Sequence, residues 1–537
     1  MIESTLLIWL FVVPAIAALV EYALGRKFPG SAGRVAILGA TVTFGCAVAM
    51  AYRVYEGARL IAFGHQLLAD PLAGFVALII SFVGWVATIF AYPYLRHQVA
   101  EGKVPVERLP MYFSWSMFFI STMTAATINN NLIMMYVLVE ATTLASALLV
   151  SYYWKPESLE AGYKYLLLCS VGITIGLLGC VVLYAAAVPL VGGHNAMLIT
   201  EIAKVANQLP PMAVLMAGIL IIIGFGCKAG LVPFHAWLPD TYAESPTPVA
   251  ALLSGVAGKV AIYAVARIVT IFFPGHSVLG TFAIVLGAIS MLLGIIVAYQ
   301  QTDLKRMLAY SSISQMGYIV LALGIGSYLG FYGAIYHLLN HGISKAMMFF
   351  CCGALIYSFG TTDMRELGMK KHSRVMAVCF FIGVLGIGGM PPLNGFWSKF
   401  AIYVAAGQAQ MWWTLGIALF TSLLTLAVLI RAGALVFMQR SHAGHADSHA
   451  QAFQSMAAAT AVAGASGMSA RHSGLVQAAA PSLQTETQAE GRRCPPAMMA
   501  VIILMAALII ITGLNFGFLN HLIDFSVRSL LGQVAGG

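Results

Sequence analysis

An all-α polytopic membrane protein is the fold class this sequence predicts, and three observations carry the prediction. Of the 537 residues, 60% are hydrophobic and only 9% are Asp, Glu, Lys or Arg, against about 25% charged in an ordinary soluble domain. Mean hydropathy is +0.88. Apolar runs of about 20 residues recur along the chain, the length that crosses a bilayer as a helix. The runs are continuous rather than alternating, which excludes a transmembrane β-barrel. A soluble enzyme, a nucleic-acid binder and a disordered scaffold are excluded on the same composition. The formal net charge of +9 is read as a topology signal, because excess Lys and Arg orient membrane proteins.

Taken in order, the runs give about fourteen spans. The first, residues 5–23, follows the acidic Glu3 and lacks a small-residue cleavage site. It therefore reads as a retained span rather than a signal peptide. Next come residues 34–52, 71–92, 111–128, 132–152, 163–188, 211–228 and 248–273. Residues 278–299, 307–326, 330–357, 375–406, 412–438 and 497–519 complete the set. Two of these are interrupted: the seventh near Lys228, Ala229, Gly230 and Pro233, and the twelfth at Gly388-Gly389-Met390-Pro391-Pro392. Broken helices expose backbone groups, which is tolerated only where protein or a wet cavity satisfies them. Paired breaks point to two inverted five-helix repeats around an ion path. The expected organisation is residues 1–110 for spans one to three, 111–273 and 278–438 for the repeats, 439–496 as a flexible cytoplasmic loop, and 497–537 as the last span and a tail. The loop is rich in Ala, Ser, Gln, Gly and His without an apolar face. Its His442, His445 and His449 read as polar linker rather than metal ligands.

Orientation follows from charge. Eighteen of the 28 Lys and Arg fall in loops after odd-numbered spans, and only Arg53, Arg59, Lys204, Arg267 and Arg528 on the other side. That bias places odd loops in the cytoplasm and both termini outside it, in an inner cell membrane. None of the eight cysteines forms a CxxC pair, and those in apolar runs read as small buried side chains. No metal or iron–sulfur ligand set and no phosphate-binding glycine motif is seen, so no catalytic centre and no cofactor of its own is expected.

Five charges remain at bilayer depth: Glu140 mid-way along the fifth span, Lys228 at the seventh-span break, Lys259 in the eighth, Lys345 in the eleventh and Lys399 in the twelfth. A charge there costs several kcal/mol, about 2.5 to above 10 by different measures, which makes each a candidate for function. Blander readings stand beside it: a Glu–Lys tether, or snorkelling by Lys228 or Lys399. Arg431, near a helix end, reads as snorkelling. His337, His341 and Lys345 are four residues apart, which puts them on one helix face about 6 Å apart. Titratable groups so spaced can relay protons through water; the alternative is that the histidines only pack. His235 beside Asp240, after the Lys228 break, reads equally as gate, relay or helix cap. No further deep acid is read, and this tilts the ion from sodium toward the proton.

Longer motifs carry a resemblance. KAGLVPFHAWLPDTYAESPTPVAALLSG, TDLKRMLAYSSISQMGYI, HLLNHGISKAMMFFCCGALI and GIGGMPPLNGFWSKF resemble the signatures of the antiporter-like membrane subunits. That family comprises complex I N-, M- and L-type subunits, group 4 hydrogenase subunits and multisubunit sodium/proton antiporters. NNNLIMMYVLVEATTLASALLVSYY and EAGYKYLLLCSVGI look most like the hydrogenase-4 component F branch, and SGVAGKVAIYAVAR is also similar to the antiporter D-type subunit. The resemblance implies a proton relay: Glu140 pairing with Lys228, then Lys259, then His337, His341 and Lys345, with Lys399 at the exit, where M-type subunits carry glutamate. It implies a translocating subunit of a redox-driven complex. Partners would be other membrane subunits and peripheral cytoplasmic redox subunits holding iron–sulfur clusters and, in the hydrogenase branch, nickel–iron. The second reading is a subunit of a sodium/proton antiporter without redox partners. The loop at 439–496 departs from the family pattern.

Overall fold

The computed structural model describes residues 2–275, 277–438, 492–514 and 517–535. In hydrocarbon only intrahelical bonds satisfy every backbone group, so the apolar runs fold as helices. The first half holds α1 (Leu6–Lys27), α2 (Arg34–Tyr55), α3 (Pro71–Ala100), α4 (Leu109–Thr127), α5 (Leu132–Val150), α6 (Pro156–Val191), α7 (Ile199–Lys204), α8 (Pro211–Ala229), α9 (Trp237–Glu244), α10 (Thr247–Leu252) and α11 (Gly258–Val269). The second holds α12 (Ser277–Gln300), α13 (Leu304–Gly324), α14 (Tyr328–Phe359), α15 (Met364–Gly368), α16 (Arg374–Gly388), α17 (Asn394–Gln408), α18 (Trp412–Phe437), α19 (Pro496–Leu514) and α20 (Gly517–Ala535). Side-chain caps set several starts: Asp70 accepts from Ala73 N at 2.9 Å, and Ser327 accepts from Gly330 N at 3.1 Å.

Among the described residues, twelve helices are long and apolar enough to cross a membrane. The other two expected spans are α4 and the broken pair α16–α17. Although 19 residues long, α4 is diluted by Ser and Thr, whose hydroxyls bond to carbonyls of α1 and of its own preceding turn. The twelve helices, α4 and the α16–α17 pair correspond to the fourteen apolar runs of the sequence.

Four details differ from expectation. A small sheet interrupts the all-α pattern: β1 (Ile2–Glu3) runs parallel to β2 (Leu60–Ala62), which pairs antiparallel with β3 (Leu67–Ala69). The expected tail at the end of the chain is a helix, α20; His521, Asp524 and Arg528 break its apolar run, so hydropathy does not reveal it. The eighth span contains a π turn, Leu253–Ala257, between α10 and α11. Finally, Glu21 and Asp70 are buried acids that the sequence reading did not single out. Both are tied down: Glu21 accepts from Gly33 N and Ala36 N at the start of α2, while Asp70 meets Arg267. Each lies near a helix end in the sequence, where an acid reads as interfacial rather than deep. Residues 439–491 of the expected loop, including His442, His445 and His449, lie outside the described residues, and its last residue, Pro496, opens α19.

Two packing features position the site. Glycines spaced by seven on α12 (Gly280, Gly287) meet glycines on α13 (Gly324, Gly317), where a Cβ would lie 2.5–2.7 Å from the facing carbonyl oxygen. Backbones this close lock α13 in place, the small-residue packing typical of membrane helices. At the centre stands α14, with every residue from Gly333 to Leu355 buried. Its polar face therefore confronts protein on all sides.

Candidate functional site

Both helix breaks are built the same way. α8 ends at Gly230, φ 80°, with Leu231 N bonding back to Gly226 O; α16 ends at Gly389, φ 84°, with Met390 N bonding back to Leu385 O. This left-handed cap closes a helix within the membrane while satisfying its last carbonyls, and glycine alone adopts it freely. A proline follows three residues after each glycine, Pro233 and Pro392, and prevents continuation. Lysines flank both breaks: Lys228 precedes the first, and Lys399 lies on α17 after the second.

Lys228 is buried. Its Nζ donates to Thr143 Oγ1 at 2.6 Å and to Tyr165 OH at 2.7 Å, and lies 5.0 Å from the Tyr165 ring centroid. Glu140 reaches it through a hydroxyl: Thr143 Oγ1 donates to Glu140 Oε2 at 3.2 Å. The other carboxylate oxygen accepts from Ser170 at 2.5 Å. Glu140 itself is half-buried.

The next lysine is one helix away. A Cβ on Gly258 would come 3.6 Å from Ala229 O, so the start of α11 lies against the end of α8. The intervening π turn inserts an extra residue, a distortion common at functional sites. Lys259 Nζ donates to Ser254 O within that turn. Ser254 Oγ lies 3.1 Å from Ser312 Oγ on α13, and the neighbouring Ser311 Oγ accepts from Lys345 Nζ, which also donates to Leu308 O at 3.1 Å. Serines of α13 thus stand between Lys259 and Lys345, with Ser311 and Ser312 both donating to Leu308 O.

Along α14, His337 and His341 stack with ring centroids 6.4 Å apart, the predicted spacing. His337 Nδ1 is 3.0 Å from Ser398 Oγ and Nε2 is 3.1 Å from Gln315 Oε1. Among the described residues, both ring nitrogens of His341 lack a partner, as do Ser314 Oγ and Ser344 Oγ. Buried polar atoms in that condition call for ordered water. Lys399 Nζ donates to Ser422 Oγ at 2.9 Å and sits 4.9 Å from the Tyr318 ring centroid, the same ring that packs 5.7 Å from His337. Lys228, Lys259, Lys345, His337, His341 and Lys399 are each at most 1% exposed, so none of the four lysines snorkels.

His235 and Asp240 are not joined to this file. His235 is half-buried in the α8–α9 turn, and burial pushes its imidazole below its ordinary value. Asp240 instead bridges α6 and α13, accepting from Lys164 at 2.8 Å and Arg306 at 2.7 Å. Arg431, partly exposed, donates to Tyr299 O at 2.5 Å. Sequence reasoning missed Thr143, Tyr165, Ser254, Ser311, Ser312, Gln315 and Ser398. Hydroxyl residues are common in membrane helices, and only the fold shows which ones touch a lysine or histidine. Among the described residues, no three His, Cys, Asp or Glu side chains gather as a metal-ligand set.

Known proteins share this architecture. Residues 129–425 match the family described as NADH:quinone oxidoreductase/Mrp antiporter, TM. A hydrogenase-4 component F homolog from Methylacidiphilum infernorum (isolate V4) is 35% identical over 347 residues, spanning 64% of this chain and 73% of that protein. The D-type subunit of the Na(+)/H(+) antiporter of Alkalihalophilus pseudofirmus is 32% identical over 375 residues, spanning 69% and 72%. In fold, the chain is similar to a chain of the membrane-bound sulfane sulfur reductase, an archaeal respiratory membrane complex, with TM-score 0.82, 24% identity and coverage of 99% and 100%.

Proposed function

Because this chain belongs to the NADH:quinone oxidoreductase/Mrp antiporter family, we propose that it is the proton-translocating membrane subunit of a redox-driven complex. The observation that carries the reading is the set of fully buried basic side chains, Lys228, Lys259, Lys345, His341, His337 and Lys399, on neighbouring helices. A packing scaffold gains nothing from four desolvated ammonium groups. The repeats are assigned to residues 111–273 and 278–438, each contributing one break and its lysine.

In this mechanism Glu140 and Lys228 stabilise each other through Thr143. When a conformational or electrostatic pulse from neighbouring subunits pulls Glu140 away, Lys228 is left desolvated and gives its proton up. Water and the α13 serines pass it to Lys259 and Lys345, and the histidines carry it toward Lys399. Unit charges 4 Å apart interact by about 4 kcal/mol at an effective dielectric of 20, enough to make successive transfers push one another. The complex sits in the cytoplasmic membrane with odd-numbered loops inside. Redox chemistry belongs to peripheral partners, with iron–sulfur clusters and, in a hydrogenase-type assembly, nickel–iron.

A second reading is favoured by the similarity to the D-type antiporter chain: a component of a sodium/proton antiporter without redox partners. Two measurements decide. Co-purification after gentle solubilisation, read by mass spectrometry, yields iron–sulfur subunits on the first reading and only small membrane subunits on the second. Lys228→Ala in the assembled complex abolishes proton uptake into proteoliposomes; an unchanged rate overturns the relay.

A further inference from the structure

Lys228 has two hydroxyl partners, and they are not equivalent. Thr143 Oγ1 accepts from Lys228 Nζ and spends its own hydrogen on Glu140 Oε2. Tyr165 OH on α6 also accepts from Nζ, at 2.7 Å, and lies 2.8 Å from Ser146 Oγ on α5. Ser146 gives its hydrogen back to its own helix, at Thr142 O. Since the ammonium only donates, the hydrogens of this chain have one direction. Lys228 donates to Tyr165, Tyr165 to Ser146, and Ser146 to Thr142 O.

That direction suits only the charged lysine. An ammonium has three donors and no acceptor; the neutral amine left after proton release has a lone pair that calls for a donor. Lys228, Tyr165 and Ser146 are each at most 1% exposed, and a buried polar group without a partner is costly. Tyr165 is the neighbour whose hydrogen is placed to serve. Its ring is held in place, packed on Trp237 of α9 with centroids 4.8 Å apart, while Trp237 Nε1 donates at 3.0 Å to Cys227 O, the carbonyl just before Lys228. The phenol hydrogen alone turns about the C–O bond, from Ser146 to Lys228. Ser146 keeps its bond to Thr142 O and is not stranded by the turn.

We propose that the Tyr165 hydroxyl is a two-way partner of Lys228: it accepts from the ammonium while its own hydrogen rests on Ser146, and turns to donate to the amine once the proton has gone. This rests on the reading of Lys228 as a proton carrier, and adds to it the group that stabilises the carrier after release. The proton passes from Lys228 Nζ to the next carrier, and the phenol keeps its own hydrogen throughout, so no other reactant is needed. Ionising the phenol instead would create a further charge in a buried site. Ser146 holds the phenol hydrogen while Lys228 is charged and thereby favours the loaded state. Thr143 does not share this role while its hydrogen is on Glu140.

Proton uptake by proteoliposomes of the intact complex, followed by a pH-sensitive dye, tests the switch. Tyr165→Phe keeps the ring against Trp237 and removes the hydroxyl; it is expected to slow uptake at least tenfold in assembled complex. Ser146→Ala removes only the resting place of the phenol hydrogen and is expected to slow uptake several-fold. It stands in if Tyr165→Phe fails to assemble. Infrared difference spectra of resting against turning-over complex, with ring-labelled tyrosine, read the turn itself. A phenol C–O band that shifts with turnover is expected, absent in Tyr165→Phe and displaced in Ser146→Ala; a structural hydroxyl gives no such band. Uptake within twofold of wild type in both variants, or no shifting band, overturns the switch, and if Lys228→Ala still abolishes uptake the parent reading stands. A Lys228→Ala rate equal to wild type overturns both.

Discussion

At the residue scale, the decisive contact is the hydroxyl between Glu140 and Lys228. A charge-assisted hydrogen bond contributes about 1.5–3 kcal/mol, and tenfold in rate corresponds to about 1.4 kcal/mol. Thr143→Val keeps the shape and removes the bridge. It is expected to slow proton uptake roughly tenfold or more without loss of assembly, whereas Thr143→Ser retains the wild-type rate. A different buried pair lies apart from the deep lysines. Arg267 on α11 meets Asp70, which also accepts from Ser529 on α20 at 2.8 Å. Removing one partner of a buried ion pair costs about 3–5 kcal/mol because the other charge is stranded. Asp70→Asn should lower the thermal unfolding midpoint of the purified protein by several degrees, and Asp70→Leu with Arg267→Leu by less.

At the element scale, irregular backbone places the charges. The left-handed caps at Gly230 and Gly389 end helices inside the membrane, and the π turn sets Lys259 against Ser254. The breaks were legible because Gly and Pro punctuate apolar runs visibly. The π turn was not, since LSGVA contains nothing that an α-helix would refuse. The short helix α9 is held to α6 and α13 by Asp240. Burial raises its carboxyl, but Lys164 and Arg306 outweigh this and keep it below its ordinary value of 3.8. With a depressed value in the folded state, the stabilisation is fully present above that ordinary value and disappears as pH falls through the lowered one. All three side chains are partly exposed, so the effect is about 1 kcal/mol or less. The melting-point gap between wild type and Asp240→Asn should stay constant from about pH 5 to 8 and close below about pH 4.

Across the whole molecule, the deep lysines and histidines are kept from lipid because α14 is enclosed over its central length and α13 is locked to α12 by glycines. The charge asymmetry of the loops predicts its orientation. A cysteine placed at Arg59 should react with an impermeant maleimide in intact cells above the native background, and one at Lys103 only after lysis; the reverse labelling would invert the assignment. Span number, the two breaks and the deep charges were all readable from the chain, because a bilayer imposes one-dimensional rules of length and polarity. Contacts between helices far apart in sequence obey no such rule. That Thr143 bridges Glu140 to Lys228, that α13 serines meet Ser254 and Lys345, and that α20 folds back onto α3 and α14 were decided by packing alone, since a serine or threonine looks the same in sequence whether it faces a lysine or its own helix.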